Sequence, residues 1–364
     1  MSISINFSQR LIASVLLFIN TTAVQAQTDP GFPKLDSAIQ SKMIQFHIPA
    51  VSIAIVKNEK LVYVQSYGYA DREKGEKATT DNLYRLASIS KPITHLAIFM
   101  MMQEGKLRAD QRVFGPGSIF GNDYGPVPPG SQKDLITVQH LLDHKSGWIN
   151  NPTDPMFTDG SLSQRELIVD LLANRPLSNK PGMNNSYSNF GFMLLGRIIE
   201  KISGMSYEAY VKKEILKPCG ITDMTIGGNT LADRLPKEVK YYQMEYNPYG
   251  MNISRMDANG GWVATATDLA RLIVRIDGMK KVADLIRPEL LRTSYFGYQN
   301  WLFNGSLPGT STTLSRVDDE YSLVMLANTR TEQNPQLILN SLYTAMKQQI
   351  MIREVWPSKN LFKN

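Results

Sequence analysis

The chain is short of the features that would stabilise or specialise it from outside. It has one cysteine, Cys219, so no internal disulfide can form, and the residue reads as a small member of the core. Charged residues make up only 20% of the sequence and form no blocks. With a net charge of +6, this describes a mildly basic surface rather than a face built for nucleic acid. Histidine is scarce, and His47, His95, His140 and His144 share no context; nor is there a Gly-x-Ser-x-Gly elbow. Both absences argue against a Ser-His-Asp hydrolase. Internal repeats and low-complexity linkers are missing as well. What remains is a globular composition, 43% hydrophobic over 364 residues, enough for one large domain or two intimate ones.

The N-terminus differs from the rest. Its first 26 residues carry one charge, Arg10, then the apolar run from Leu11 to Ile19, then small residues at Val24-Gln25-Ala26. That order is expected of a secretory signal over 1–26, with a run too short to span a membrane. No cysteine follows the run, which speaks against lipoprotein attachment. The mature chain, 27–364, would start near Gln27 with net charge about +5, Arg10 being the only charge lost (+6 − 1). The expected location is periplasmic or secreted, with no stable membrane span after cleavage.

The chemistry concentrates in the stretch from Arg85 to Gly105. A helix opening near Ser88 accommodates Pro92 in its first turn and can stop on a left-handed Gly105. The run from Leu96 to Met102 is apolar on every side, so the helix should be buried. Spaced i, i+3, Ser88 and Lys91 lie on one helix face. The positive end of the helix dipole disfavours an ammonium there and favours the free amine, which can activate the hydroxyl as a nucleophile.

Elsewhere, periodicity predicts an amphipathic segment over Leu35 to Phe46 and a hairpin of Val51 to Lys57 with Leu61 to Gly68 across Asn58-Glu59. Leu83 to Ala87 could be a short strand feeding the Ser88 helix. Phe114 to Gln132, dense in Gly and Pro, is an irregular loop. Helices follow at Thr137 to His144, Ser163 to Leu172, about Phe190 to Ile202 and Ser206 to Ile215. Gly260-Gly261 marks a tight turn before a helix opened by Thr265-Ala-Thr-Asp268. Tyr298 to Phe303, Ser311 to Val317 and Tyr321 to Leu326 alternate as antiparallel strands, and a helix over Pro335 to Ile350 closes the chain. The fold class is therefore α/β (α+β): one sheet from the two β parts, with a mostly helical region, roughly 96–260, inserted between them.

Four features fall in order along this frame: Ser88-x-x-Lys91, Tyr187-Ser-Asn189, Gly260-Gly261, and Phe303-Asn304-Gly305-Ser306. With the phrases Ile136-Thr-Val-Gln-His-Leu-Leu-Asp-His-Lys-Ser-Gly147 and Ser306-Leu-Pro-Gly309, they make the chain resemble the serine β-lactamase and penicillin-binding-protein superfamily. The resemblance is to the class C-like branch with its esterases and D-peptidases, and it runs from about residue 38 to 350. It implies a β-lactamase/transpeptidase-like fold, an antiparallel sheet flanked by helices. It also implies an acyl-enzyme on Ser88, with Lys91 as proton acceptor and Tyr187 passing the proton to the leaving group. Asn189 would hold Lys91 and the substrate carbonyl region, and the backbone N–H groups of Ser88 and Ser306 would form the oxyanion hole. Such chemistry needs no cofactor and no metal, and its partner is a small-molecule or peptide acyl substrate, not nucleic acid. The bond cleaved could be an ester, an amide or a β-lactam. A D-amino-acid peptidase on cell-wall peptides and a non-catalytic peptidoglycan- or partner-binding relative are the alternatives. The sequence does not reveal the oligomeric state.

The chain departs from the family at Phe303, where relatives carry Lys or His. A charge-assisted hydrogen bond is worth about 1.5–3 kcal/mol, so its loss implies weak turnover of carboxylate-bearing β-lactams and better use of neutral esters. Arg316 on the neighbouring strand could restore a positive charge. His140 and His144, at i, i+4, could share a metal, but Leu141 replaces the expected glutamate and a helix-packing role is favoured. Tyr298-Gln-Asn300 repeats the Tyr-x-Asn pattern and is assigned to structure.

Overall fold

The structure, a computed structural model, describes residues 31–331 and 334–363, so the expected signal segment lies outside the described residues. Helix α1 (Pro33–Gln45) leads into strands β1 (Ala50–Lys57) and β2 (Lys60–Asp71), followed by the short β3 (Glu76–Lys77). The β1–β2 turn places Asn58 and Glu59 at φ 49° and 61°, the left-handed pair that a two-residue hairpin requires. After β4 (Tyr84–Arg85) come α2 (Ser90–Gln103), α3 (Val138–Leu142), α4 (Gln164–Asn174), α5 (Asn189–Ser203), α6 (Tyr207–Val211), β5 (Thr225–Ile226), α7 (Asp257–Gly260), β6 (Trp262–Ala264), α8 (Ala266–Ile273) and α9 (Pro288–Leu291). Strands β7 (Trp301–Leu307), β8 (Thr310–Arg316) and β9 (Tyr321–Ala327) and helix α10 (Leu337–Met351) complete the chain.

The two β parts meet in one antiparallel sheet of order β3-β2-β1-β9-β8-β7, with β1 pairing Val51 to Ala327 of β9. Both faces of this sheet are covered. Val51, Ile53 and Ile55 face a cluster with Leu35, Ile39, Leu339 and Leu342 of α1 and α10. Ala50, Ala54 and Val56 face the larger cluster that contains the helical insertion. A strand buried on both sides reads as a continuous apolar run, which is why β1 lacks a polar face.

Several boundaries differ from the sequence reading for local reasons. Strand β7 is shifted toward the C-terminus, to Trp301–Leu307, because the hairpin closes at Pro308-Gly309, where Gly309 has φ 73°. Tyr298 and Asn300 therefore precede the strand. Helix α3 ends at Leu142, and His144 takes φ 57°, so the segment turns back well before Gly147. Beyond Val211 the expected helix widens into a π-helical turn, Lys212–Leu216. Gly260-Gly261 is the end of the helical turn α7 rather than a free-standing turn. A Cβ on Gly261 would lie 2.9 Å from both Asp257 Cα and Ile253 O.

Of a small second sheet, order β4-β6-β5, only β4 falls where the sequence suggested a strand, within Leu83 to Ala87. The sheet matters because Leu86 N donates to Trp262 O at 2.8 Å, drawing the chain before Ser88 against the segment after Gly261.

Candidate active site

Ser88 sits in a tight 3-10 turn, Ala87–Ile89, that runs directly into α2. Ala87 takes φ 50°, a left-handed conformation that costs a non-glycine residue about 1–2 kcal/mol. Strand β7 packs onto this turn. A Cβ on Gly305 would lie 2.1 Å from Leu86 O and 2.2 Å from Thr312 Oγ1, so only glycine permits the approach. Thr312 Oγ1 donates to Leu86 O at 2.9 Å and ties β8 to the same turn.

One helical turn on, Lys91 is buried with its amine enclosed by polar groups. Nζ donates to Asn189 Oδ1 at 2.6 Å and to Asn259 O at 2.7 Å, and lies 3.3 Å from Ser88 Oγ. Two of these neighbours are carbonyl-type oxygens that can only accept. A free amine so placed spends both N–H groups on them and is left with its lone pair toward the serine hydroxyl. Tyr187 OH approaches Ser88 Oγ from the other side at 2.6 Å, and Lys91 Nζ lies 4.7 Å from the Tyr187 ring centroid. The arrangement can carry a proton from Ser88 to either of two groups and return it.

The supports of these side chains come from separate elements. Asn189 opens α5, whose N-cap Ser188 accepts from Gly191 N at 2.9 Å. Asn259 belongs to α7, anchored by a buried ion pair of Asp257 with Arg197 at 2.6 Å. Thr94 of α2 donates to Ala258 O at 2.6 Å. Asn150 Nδ2 donates to Tyr187 O at 2.8 Å. His144 stacks on Tyr187 with ring centroids 4.8 Å apart, and its Nδ1 accepts from Ser188 N at 3.1 Å. Burial, reinforced by Lys91, pushes the His144 imidazole down to about 4, so it is neutral at working pH. His140 Nδ1 accepts from Thr137 N at 3.3 Å and completes a capping box. The two histidines thus have packing and capping roles, and among the described residues no His, Cys, Asp and Glu group of three could hold a metal. Cys219 is buried, its thiol pushed up to about 12 by burial.

Ser88 and Tyr187 open into a cleft of about 710 Å³, also lined by Asn189, Asn259, Gly260, Ser306 and Leu307. Its walls are mixed: Met156, Phe157, Met251 and Pro308 supply apolar surface, and Thr158, Asn252, Arg255 and Arg330 supply polar groups.

A family model described as Beta-lactamase matches residues 35–336. The chain belongs to the beta-lactamase family. Protein flp of Staphylococcus aureus is 33% identical over 198 residues, covering 54% of this chain and 38% of flp. A putative D-alanyl-D-alanine carboxypeptidase of Escherichia coli K12 is 30% identical over 223 residues, covering 57% of this chain and 50% of that protein. The match therefore spans half or less of these curated relatives. Among solved structures, D-amino acid amidase from Ochrobactrum anthropi SV3 superposes with a TM-score of 0.68 at 20% identity, over 87% of this chain and 99% of that one. At that identity the likeness concerns the fold, and it agrees with the sheet and helices described above.

Of the residues that the family resemblance singled out, Ser88, Lys91, Tyr187, Asn189 and Ser306 come together. Gly305 acts through its missing side chain, and two others point elsewhere. Phe303 does not line the cleft; its ring packs on Trp301 at 5.1 Å and Phe296 at 5.5 Å between centroids. Asn304 Oδ1 accepts from Thr313 Oγ1 at 2.9 Å and its Nδ2 donates to Gln336 at 3.1 Å, on the α10 side. Alternation along β7 separates them: Phe303 and Gly305 share one face, Asn304 the other. Arg316 does not supply a cation to the cleft either, since it is held by Asp319 at 2.9 Å and Tyr298 O at 3.1 Å. The guanidinium groups on the cleft wall belong to Arg255 and Arg330. Arg255 is buried and donates to the carbonyls of Met156, Asp159 and Leu162 at 2.9, 2.6 and 2.9 Å, which shapes the wall from within. Asp154 and Arg330 lie in loops and Arg255 in the 3-10 turn Ser254–Met256, where no spacing rule marks them.

Proposed function

We propose that this beta-lactamase family member is an exported serine hydrolase working through an acyl-enzyme on Ser88. The Ser88 oxygen attacks the substrate carbonyl carbon while its proton passes to the Lys91 amine, forming a C–O bond and an oxyanion. Backbone N–H groups of Ser88 and Ser306 receive that oxyanion, a contribution typically worth about 3–4 kcal/mol per donor. The intermediate collapses as the leaving group takes a proton relayed through the Tyr187 hydroxyl, leaving the acyl group on Ser88. Water then attacks the ester, its proton passing through the Tyr187 hydroxyl to the Lys91 amine, and the acid is freed as that proton returns to the Ser88 oxygen.

The observation that carries this reading is the placement of Ser88 Oγ between Tyr187 OH at 2.6 Å and Lys91 Nζ at 3.3 Å. Within the mixed lining, Met156, Phe157 and Leu307 give an apolar stretch suited to a neutral acyl group, and the ester reading rests on that stretch. A second reading, a peptidase or amidase on D-amino-acid substrates, draws on the names of the relatives and on Arg330 at the cleft wall. An assay of purified protein on p-nitrophenyl esters, a D-Ala-D-Ala peptide and nitrocefin separates them. The ester reading expects kcat/KM to be highest on a neutral ester and to fall by about three orders of magnitude or more in Ser88→Ala. Equal rates for wild type and Ser88→Ala would remove the enzymatic reading, and a preference for the D-Ala-D-Ala peptide would establish the second one.

A further inference from the structure

An asparagine amide can present either end to its neighbour, and Lys91 tolerates only one of them. With Oδ1 forward, Asn189 accepts an N–H from Lys91 and leaves the amine's lone pair for Ser88; with Nδ2 forward, the amide would meet a donor on a protonated Lys91 or take the lone pair of a free one. The choice is made one residue further out. Asn189 Nδ2 donates to Asp154 Oδ2 at 2.6 Å. A carboxylate only accepts, so it commits the nitrogen to itself and turns Oδ1 toward Lys91. The other oxygen, Asp154 Oδ1, accepts from Met156 N at 2.9 Å and caps the short 3-10 turn Pro155–Phe157, part of the cleft wall.

Building on the assignment of Ser88 and Lys91 above, we propose that Asp154 is a positioning residue. It locks the Asn189 amide so that the Lys91 lone pair points at Ser88, and it ties that setting to the Met156–Phe157 wall. Asp154 touches no reacting atom; its effect passes through Asn189 to Lys91. A purely structural role, capping the turn, would make the same bond to Met156 and leave Lys91 unaffected.

Asp154→Ser separates the two roles. Serine is as good an N-cap as aspartate but too short to reach Asn189, so the turn keeps its cap while the amide is released. Asp154→Asn is the companion variant, in which a donor can oppose the Asn189 nitrogen. The measurements are kcat and KM on a neutral ester, the rate of Ser88 labelling by a fluorophosphonate between pH 5 and 9, and thermal stability. Positioning predicts a fall in kcat of about 10–100-fold with KM nearly unchanged. It also predicts a matching fall in the rate of Ser88 labelling, which the loss of a turn cap alone would not produce. The melting temperature of Asp154→Ser should stay near that of wild type. Unchanged kcat and labelling rate in both variants, with or without a loss of stability, overturn the proposal and leave Asp154 a cap. If wild-type protein is itself unlabelled, the hydrolase reading fails first and this inference falls with it.

Discussion

At the residue scale, the decisive property is the number of partners each side chain has. Lys91 has two obligate acceptors and a hydroxyl, so its third direction is free to take a proton. Tyr187→Phe keeps the ring that stacks on His144 and removes only the hydroxyl 2.6 Å from Ser88. It should lower kcat about 100-fold or more on esters with poor leaving groups and less on activated ones, measured by comparing alkyl and p-nitrophenyl esters. Phe303 carries a different expectation from the one its motif position suggested. Its ring is held by Phe296 and Trp301, so Phe303→His should lower stability by about 1–3 kcal/mol in denaturant unfolding without gain on nitrocefin. A clear gain on nitrocefin would show that the side chain reaches the cleft after all. The sequence displayed Ser88, Lys91, Tyr187 and Asn189 because their spacing is set within single turns. It hid Asp154, whose contact with Asn189 spans 35 residues that include α4 and follows no period.

At the element scale, the site depends on how closely β7 approaches the turn that carries Ser88. Gly305→Ala would put a methyl group 2.1 Å from Leu86 O, and the strand or the turn must retreat. The expected result is a folded protein whose fluorophosphonate labelling is slowed by about 100-fold, since displacements near 1 Å have that effect on positioned groups. Labelling at the wild-type rate would contradict the tight approach. Helices α2, α4, α5, α8 and α10 were legible because caps and apolar periodicity act locally; Ser163 and Thr265 both make capping boxes. In the small sheet β4-β6-β5 only β4 was anticipated, within Leu83 to Ala87; β5 and β6 were not, because strands of two or three residues are defined by their distant partners rather than by their own pattern.

At the scale of the whole molecule, two separated β segments close into one sheet around a helical insertion, and the cleft forms where the insertion meets β7. That plan was readable from the switch in periodicity along the chain, whereas the cleft's lining was not, since it draws on several loops at once. The same packing brings Glu59, Asp277 and Asp284 near one another. Burial and neighbouring carboxylates push Asp277 up to about 6 and Asp284 up to about 7, opposed by Arg316 and Arg275 respectively. A carboxyl raised in the folded state binds its proton more tightly there than in the unfolded chain. Its favourable contribution is therefore present at low pH and lost as pH rises through about 6 to 7. Asp284→Asn should accordingly raise the melting temperature most at pH 8, less at pH 5 and least near pH 4, below which both states are protonated; the opposite order would refute the assigned shift. The central claim, a Ser88 hydroxyl activated by Lys91 and Tyr187, is tested most directly by intact mass and peptide mapping after incubation with a fluorophosphonate. The account predicts one adduct, on Ser88, strongly diminished in Lys91→Met. An unmodified protein under conditions that label a control serine hydrolase, or an adduct at another residue, would contradict it.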